Sequence, residues 1–512
     1  MIIRADTPSG IRIREIPGVP ILKERTLEPC VLVIFGVTGD LAARKLVPAL
    51  YNLKLDRALP ESMFVLGVGR KPHEISDLRK KFLSSANQFS RRTPIDPKVW
   101  ESLAADFEYI AGEFERSDLY QALKTKLAAT DVSHGTRGNR MFYLAVPPEL
   151  FPVILNNLVR AGLVGGPREE SWTRVIIEKP FGRDFASACE LNRLVAGAFD
   201  ESQVFRIDHY LGKETVQNIL VFRFGNPIFE HLWNRKYIDH VQITAAESMG
   251  VGHRGAFYDE TGVVRDVVQN HLLQVLALCA MEPPSTLSAD DIRDEKARVF
   301  RALRPIAGDE AAEQVIMGQY HGYLSEDGVA KNSRTPTYVA MKILIDNWRW
   351  QGIPFYLRAG KGLSQRVTEV AIQFQPVPLS LFGQEETCQI VESNVLALRI
   401  QPNEGVSLRF VAKVPGEHVS VGNVFMNMNY AEAFGKPISE AYERLLLDCI
   451  RGDATLFARR DGVEEAWKFI TPIVEAWEGN GRLPVRLYEQ GTPGPKEADD
   501  LLIRDGRRWR AL

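Results

Sequence analysis

The sequence predicts an α/β fold joined to an α+β one: an N-terminal Rossmann-like, doubly wound domain, then a larger domain with a mostly antiparallel sheet and helices. Three observations carry this. Up to about residue 205, short continuous apolar runs alternate with helical segments, as strands buried on both faces of a parallel sheet do. The first such run leads straight into a glycine-bearing turn and a helix. Downstream, strand-like alternation recurs with turn-rich links, as an antiparallel sheet requires. The expected division is 1–27 as an extended lead-in, 28–205 as the doubly wound domain and 206–512 as the α+β domain. No internal repeat is found.

Composition narrows the classes. With 512 residues the chain can bury a large core in two or more domains. Its 45% hydrophobic and 25% charged residues are ordinary for a water-soluble protein, and the expected compartment is the cytoplasm. A formal net charge of −2 gives no basic excess to attract nucleic acid or an anionic membrane, so neither is an expected partner. Cys30, Cys189, Cys279, Cys388 and Cys449 are scattered, without CxxC or zinc spacing, which points to reduced thiols and no bound metal. No apolar segment has the length of a membrane span, and residues 1–25 lack the apolar centre of a signal peptide.

Taken in order, Cys30-Val31-Leu32-Val33-Ile34-Phe35 is the first strand, and Gly36-Val37-Thr38-Gly39-Asp40-Leu41-Ala42 the turn after it. A helix is expected from about Leu41 to Ala58, ending before Pro60, with Pro48 a possible kink. Strand, glycine turn and helix are the context of a dinucleotide-binding turn, although the spacing is not G-x-G-x-x-G. Gly36 and Gly39 let the backbone approach a pyrophosphate; a plain βα turn is the alternative. A second strand, Phe64 to Gly69, ends in Arg70, where this fold meets the adenosine ribose. An acid there suits NAD; an arginine suits the 2′-phosphate of NADP. Charged, helical segments are expected from Ile75 to Thr130, then a strand from Arg140 to Val146 and another from Thr173 to Ile177. Lys179 follows, where a strand leaves the sheet and α/β folds bind ligands.

The densest chemistry lies in Arg206-Ile207-Asp208-His209-Tyr210-Leu211-Gly212-Lys213-Glu214. A helical run follows it, so Gly212 and Lys213 fall near a helix N-terminus, which favours anions. His209 and Lys213, four apart, face one way if the turn is helical and read as a phosphate clamp. Asp208 is an acid free to hold a histidine elsewhere. A polar loop that merely caps the helix is the alternative.

Strand-like runs then occur at 241–247, 338–345, 353–358, 370–374, 394–400 and 406–410, with a weakly patterned tail after Arg482. Between the first two, residues 262–278 read as one helix with an apolar stripe of Val264, Val268, Val275 and Leu278 that includes His271. His271 is either a satisfied core histidine or a desolvated base that takes Asp208 as its acidic partner. Asp266 and Glu247 can accept hydrogen bonds from a polyol, or be ordinary surface acids.

Together Gly36–Ala42 with Lys45, Glu178–Gly182, Arg206–Glu214, Arg265–Gln274 and Arg358-Ala359-Gly360-Lys361 resemble the glucose-6-phosphate 1-dehydrogenase family, over about residues 28–480. The resemblance implies oxidation of β-D-glucose 6-phosphate at C1 to the 6-phosphoglucono-δ-lactone with NADP as coenzyme, the first step of the oxidative pentose phosphate pathway. It makes His271 the base and Asp208 its partner. His209 and Lys213 become phosphate ligands with Tyr210 beside them, and Glu247, Asp266 and Lys361 sugar contacts. Lys179 lies where sugar and coenzyme meet. Gly36, Val37, Thr38, Gly39, Asp40, Leu41, Lys45, Arg70 and Tyr143 belong to the coenzyme site. A homodimer or homotetramer is implied. Animal members carry a lysine of a second, structural NADP site where this chain has Val367, beside Arg366, so that site is not expected here. A related sugar dehydrogenase and a non-enzymatic NADPH sensor or partner-binding homologue are the competing readings. The joint presence of His271, Asp208, Lys179 and Lys213 speaks against the last.

Overall fold

The computed structural model describes residues 27–166, 171–308, 310–379, 392–417, 419–435, 439–479 and 483–512. The lead-in up to residue 26 and Cys388 lie outside the described residues. In chain order the strands are β1 Cys30–Phe35, β2 Met63–Gly69, β3 Phe107–Ala111, β4 Arg140–Leu144, β5 Thr173–Ile177, β6 Val204–Ile207, β7 Ile238–Ala246, β8 Val315–Tyr320, β9 Tyr338–Leu344, β10 Pro354–Gly360, β11 Val367–Phe374, β12 Val395–Gln401, β13 Gly405–Lys413, β14 Val421–Asn429, β15 Phe457–Ala458 and β16 Val485–Tyr488.

They form two sheets. The first runs β15-β6-β5-β4-β1-β2-β3, with β1 to β6 parallel and β15 antiparallel at the edge. Every residue of β1 is fully buried, as its unbroken apolar run predicts for a strand covered on both faces. The second sheet runs β14-β13-β12-β11-β7-β10-β9-β8-β16 and is mostly antiparallel; β7 with β10 and β8 with β16 are the parallel pairs.

Several boundaries differ from expectation. The stretch expected to be helical from Ile75 to Thr130 contains β3, whose five residues bury only Phe107 and so give little strand pattern. The first helix is an opening π-type turn, Ala42–Leu46, that passes into Val47–Leu55. Pro48 sits at the start of the second piece, where a missing N–H is tolerated. The expected division between 205 and 206 cuts through β6, and β15 returns from the far end of the chain to pair with it. Helices Ala441–Arg451 and Arg460–Glu478 likewise pack on first-domain helices Val47–Leu55 and Phe185–Ala198. The helix expected from Gly262 begins one residue later: Gly262 has φ 61° and ψ 172° and terminates the helix before it. The tail after residue 482 holds β16 and the helix Glu497–Ile503. Among the described residues no helix is long and apolar enough to cross a membrane.

Candidate active site

The carboxyl ends of β5 and β6 release two short segments toward the second domain. After β5 comes Glu178-Lys179, after β6 Asp208 and the turn to Lys213. Facing them is Val264–Leu272, wound as a π-helix, and between them lies a cleft of about 2480 Å³. The winding matters. In a π-helix residues five apart come into line, so Asp266 and His271 point to the same place, which α-helical spacing does not allow.

His271 Nδ1 lies 2.5 Å from Asp208 Oδ1, and both side chains are 3% exposed or less. Asp208 Oδ1 also accepts the Tyr210 N–H at 2.9 Å. The other ring nitrogen, Nε2, is 2.9 Å from Lys179 Nζ, which donates to the Asp266 carbonyl at 2.9 Å and to its Oδ1 at 3.1 Å. These partners assign the tautomer: Nδ1–H donates to the carboxylate and Nε2 keeps the lone pair. The ring is held from both sides, stacked on Tyr210 at 4.2 Å and edge-on to His209 at 4.4 Å.

Charge follows from this packing. Burial opposes ionisation of Asp208, but His271, His209 and Lys179 outweigh it and hold the carboxyl well below the usual range. Asp266 is held low in the same way, burial being outweighed by Lys179 and Lys361. Burial, opposed by Asp208 and aided by Lys179, leaves His271 below an ordinary histidine. His209 is pushed well below by burial, then by His271 and Lys179. Asp208, His209 and His271 also bring one possible metal-ligand atom each within 4.8 Å. With Asp208 and His271 bonded to each other and the Lys179 ammonium on Nε2, that donor set fits a proton dyad better than a cation.

On one side of the dyad, Lys213 precedes the helix Glu214–Phe224 with φ −78° and ψ 131°. The helical turn expected to align His209 with Lys213 is a set of tight turns instead, yet both residues line the cleft. The Lys213 ammonium donates to Gln401 Oε1 and lies 4.5 Å above the Tyr210 ring. Burial, reinforced by Arg366, pushes it down to about 8. Gly212 is needed because a Cβ there would sit 2.8 Å from the Ala441 carbonyl oxygen. On the other side Lys361 pairs with Glu247 at 2.7 Å. Adjacent strands place them, since β10 and β7 are in register at Gly360 and Ala246, one residue before each.

The coenzyme side is built differently. Gly36 has φ 81°, and a Cβ there would lie 2.3 Å from the Ala145 carbonyl oxygen, so the turn needs glycine merely to pass β4. Gly39 donates to the Gly36 carbonyl at 2.9 Å, and a Cβ on it would meet only that oxygen within 4 Å. Its open face, with Asp40, Leu41 and Lys45 lining the cleft beyond it, fits a pyrophosphate at a helix start. Val37 is fully buried against Gly67, and Lys81 donates to the Thr38 carbonyl at 3.0 Å. Lys45 pairs with Glu440 at 3.3 Å.

Two family models match the chain: the glucose-6-phosphate dehydrogenase NAD-binding domain over residues 33–218 and the C-terminal domain over residues 220–510. The chain belongs to the glucose-6-phosphate dehydrogenase family. A relative named glucose-6-phosphate 1-dehydrogenase from Chlamydia pneumoniae is 46% identical over 95% of this chain and 97% of its own. One from Mycolicibacterium smegmatis is 45% identical over 94% and 98%. Among solved structures, a glucose-6-phosphate dehydrogenase in complex with glucose 6-phosphate is 34% identical with a TM-score of 0.87, over 96% of this chain and 100% of that one. The enzyme of Mycobacterium avium is 38% identical with a TM-score of 0.83, over 95% and 99%.

Within this family frame, Asp208, His209, Tyr210, Lys213, Lys179, Glu247, Asp266, His271 and Lys361 all gather at or directly behind the cleft. Of the expected coenzyme residues Asp40, Leu41, Lys45 and Lys179 line the cleft, and Gly36, Val37, Thr38, Gly39, Tyr143 and Arg70 do not. Tyr143 is fully buried in β4 and donates its hydroxyl to Glu178 Oε1 at 2.5 Å, so it supports the cleft wall from behind. Arg70 is exposed just after β2 and does not line the cleft. Residues given no role in this cleft by the sequence reading also line it, among them Arg366, Gln401, Tyr442 and Glu178. Arg366 and Gln401 approach each other at 3.5 Å beside Lys213. Tyr442 stacks on His209 at 6.5 Å and donates to Glu178 at 3.2 Å. Burial, against those tyrosine hydrogen bonds, raises Glu178 to about 7. Arg366 follows Lys361 by only five positions, and Tyr442 lies in Glu440–Asp448, a further stretch that resembles the family, so both had a usable signal; Gln401 carried none.

Proposed function

We propose that this cleft oxidises the C1 hydroxyl of glucose 6-phosphate with NADP⁺, giving the 6-phosphogluconolactone and NADPH. The observation that carries the reading is the buried Asp208–His271 pair, whose second ring nitrogen opens on the cleft beside Lys179. NADP⁺, when bound, supplies the hydride acceptor. The turn from Gly36 to Leu41 with Lys45 would hold its pyrophosphate side and Arg70 its 2′-phosphate; Lys179 stands where coenzyme and sugar meet.

The chain's own residues do the rest. His271 Nε2 accepts the proton of the C1 hydroxyl as hydride leaves C1. The Lys179 ammonium, which occupies that lone pair when no sugar is bound, turns to the hydroxyl oxygen and keeps it aligned. Asp208, already anionic, stabilises the imidazolium and fixes the ring. Lys213, His209, Tyr210, Arg366 and Gln401 take the phosphate. Glu247, Asp266 and Lys361 take the ring hydroxyls. Binding energy from the remote phosphate thus orients C1.

This reading puts the protein in the cytoplasm, in carbohydrate metabolism, at the oxidative entry to the pentose phosphate pathway. It also takes a second copy of the chain as partner. Phe425 and Met426 are more than half exposed on β14, an edge strand with unpaired backbone groups, and light scattering should report a dimer or tetramer. The test of function is NADPH absorbance with purified protein. A rise with glucose 6-phosphate and NADP⁺, weak with NAD⁺ and absent with glucose, supports the reading. No rise from folded protein refutes it.

A further inference from the structure

Lys361 has to hold its ammonium at one place on the cleft wall, and its ion pair alone does not do that. The Glu247 side chain is 45% exposed, and a pair open to water fixes a long side chain poorly. The backbone beneath is fixed: the Lys361 N–H donates to the Thr337 carbonyl at 3.0 Å, and the Lys361 carbonyl accepts the Tyr488 hydroxyl at 2.6 Å. For the side chain there remains Tyr258, whose ring the Lys361 ammonium stands over, 5.3 Å from the centroid. Tyr258 lies in the helix Gly255–Val263, is 2% exposed and does not line the cleft. Its hydroxyl is buried with no hydrogen-bond partner among the described residues, so hydrogen bonding does not account for this side chain. The ring is held in place from two directions. It meets Tyr323 edge to face at 6.4 Å, and the next residue, Asp259, accepts the Tyr323 hydroxyl at 2.9 Å and the Ala330 N–H at 3.1 Å. The Asp259 carbonyl accepts the Thr335 hydroxyl at 2.6 Å.

We propose that Tyr258 is a positioning residue for the sugar site: its aromatic face holds the Lys361 ammonium where the sugar hydroxyls meet it. This rests on the reading of Lys361 as a sugar contact. A cation is drawn to the negative face of an aromatic ring, and the attraction grows as water is excluded. The Lys361 side chain is only 13% exposed, which puts it toward the stronger end. The contact is not an ion pair, because burial, then the charge of Asp266, holds the Tyr258 hydroxyl well above the usual tyrosine range and so keeps it neutral. The carboxylates nearby do not replace it: Asp266 is joined to Lys179 at 3.1 Å, and Glu247 opens to solvent. An aromatic face also holds the ammonium without occupying a carboxylate's share of its hydrogen bonds. The N–H groups that Glu247 does not use are thereby left to the sugar.

The test is a double-mutant cycle read as KM for glucose 6-phosphate. Tyr258→Leu removes the aromatic face and should raise this KM about three- to tenfold, with kcat and KM for NADP⁺ little changed. Tyr258→Phe keeps the face, drops only the unpaired hydroxyl and should restore the original KM. In a Lys361→Met background the ammonium is gone, so Tyr258→Leu should add nothing further. If the leucine variant does not fold, Tyr258→Met carries the same comparison. A folded leucine or methionine variant with the original KM overturns the proposal. So does an effect as large without the Lys361 ammonium as with it, and so does a phenylalanine variant as impaired as the leucine one, which would assign the effect to the hydroxyl. The underlying reading fails separately: Lys361→Met alone must raise KM for the sugar, and if it does not, Lys361 is no sugar contact whatever Tyr258 does.

Discussion

The two ends of the cleft bind by different physics. At the sugar end most charges are buried or half-buried and already joined: Asp208 to His271, Lys179 to His271 and Asp266, and Lys361 to a Glu247 that opens to solvent at the rim. At the coenzyme end the fixed feature is backbone shape, set by a glycine with φ 81° against β4, while the cations stand in solvent. Arg70 is exposed, and the Lys45 and Arg44 side chains are 47% and 58% exposed in their ion pairs. Exposed pairs contribute little and are screened by salt. A preorganised, water-poor network acts at full strength on charge that develops within it. Chemistry is thus assigned to the rigid end. The coenzyme end contributes recognition by backbone N–H groups and surface charge, which suits a molecule that must leave after each turnover.

This contrast can be broken at its strongest point first. His271→Asn keeps a hydrogen-bonding side chain but removes the base, and should lower kcat about 10³–10⁴-fold while KM for glucose 6-phosphate stays near its original value. Steady-state kinetics decide it; a variant within tenfold of the original moves the chemistry elsewhere. Lys213→Ala removes a phosphate contact without touching the dyad. It should raise KM for glucose 6-phosphate roughly 10–100-fold, the range for a lost charge-assisted hydrogen bond, and leave kcat nearly intact. A kcat loss instead means that the clamp also aligns C1. Arg70→Ala probes the exposed end, and should weaken NADP⁺ by up to about fivefold with NAD⁺ barely affected. Equal losses for the two coenzymes would remove the 2′-phosphate from its role.

What the sequence could express follows the same divide. The segment from Asp208 to Lys213 compresses its chemistry into a few positions, so a phosphate site and an acid for a distant histidine were legible there. The pairing of Asp208 with His271 was readable because a desolvated histidine needs such a partner. Its facing was not, because α-helical periodicity put His271 on an apolar stripe, whereas π winding turns it toward Lys179 with Asp266. Tyr143 came from the resemblance and not from its strand pattern. In a strand covered on both faces nothing in the alternation says which residues meet the ligand, and this one is spent on Glu178. Gln401 and Tyr442 reach the cleft from a second sheet and a late helix, a convergence that only topology provides. β14 went unread because its middle is exposed and has no buried period, and β3 because it is short and half-buried.

The smallest expected effect sharpens the comparison from behind the cleft wall. Glu178 carries Tyr143 and Tyr442 on one oxygen, and burial raises its carboxyl to about 7 despite both hydrogen bonds. A carboxyl whose folded value lies above its unfolded one binds its proton more tightly in the native state. Its stabilising contribution is therefore full below about 4.5, the unfolded value, and fades as pH rises through about 7. Glu178→Gln keeps the acceptor for both tyrosines and removes the titration. Melting temperature measured against pH should then fall less between those two values in the variant than in the original. Parallel curves would show that Glu178 stays ionised throughout, the Lys179 ammonium outweighing burial. The wall behind the coenzyme would then belong with the charged network of the sugar end, and the line between the two regions would move past β5.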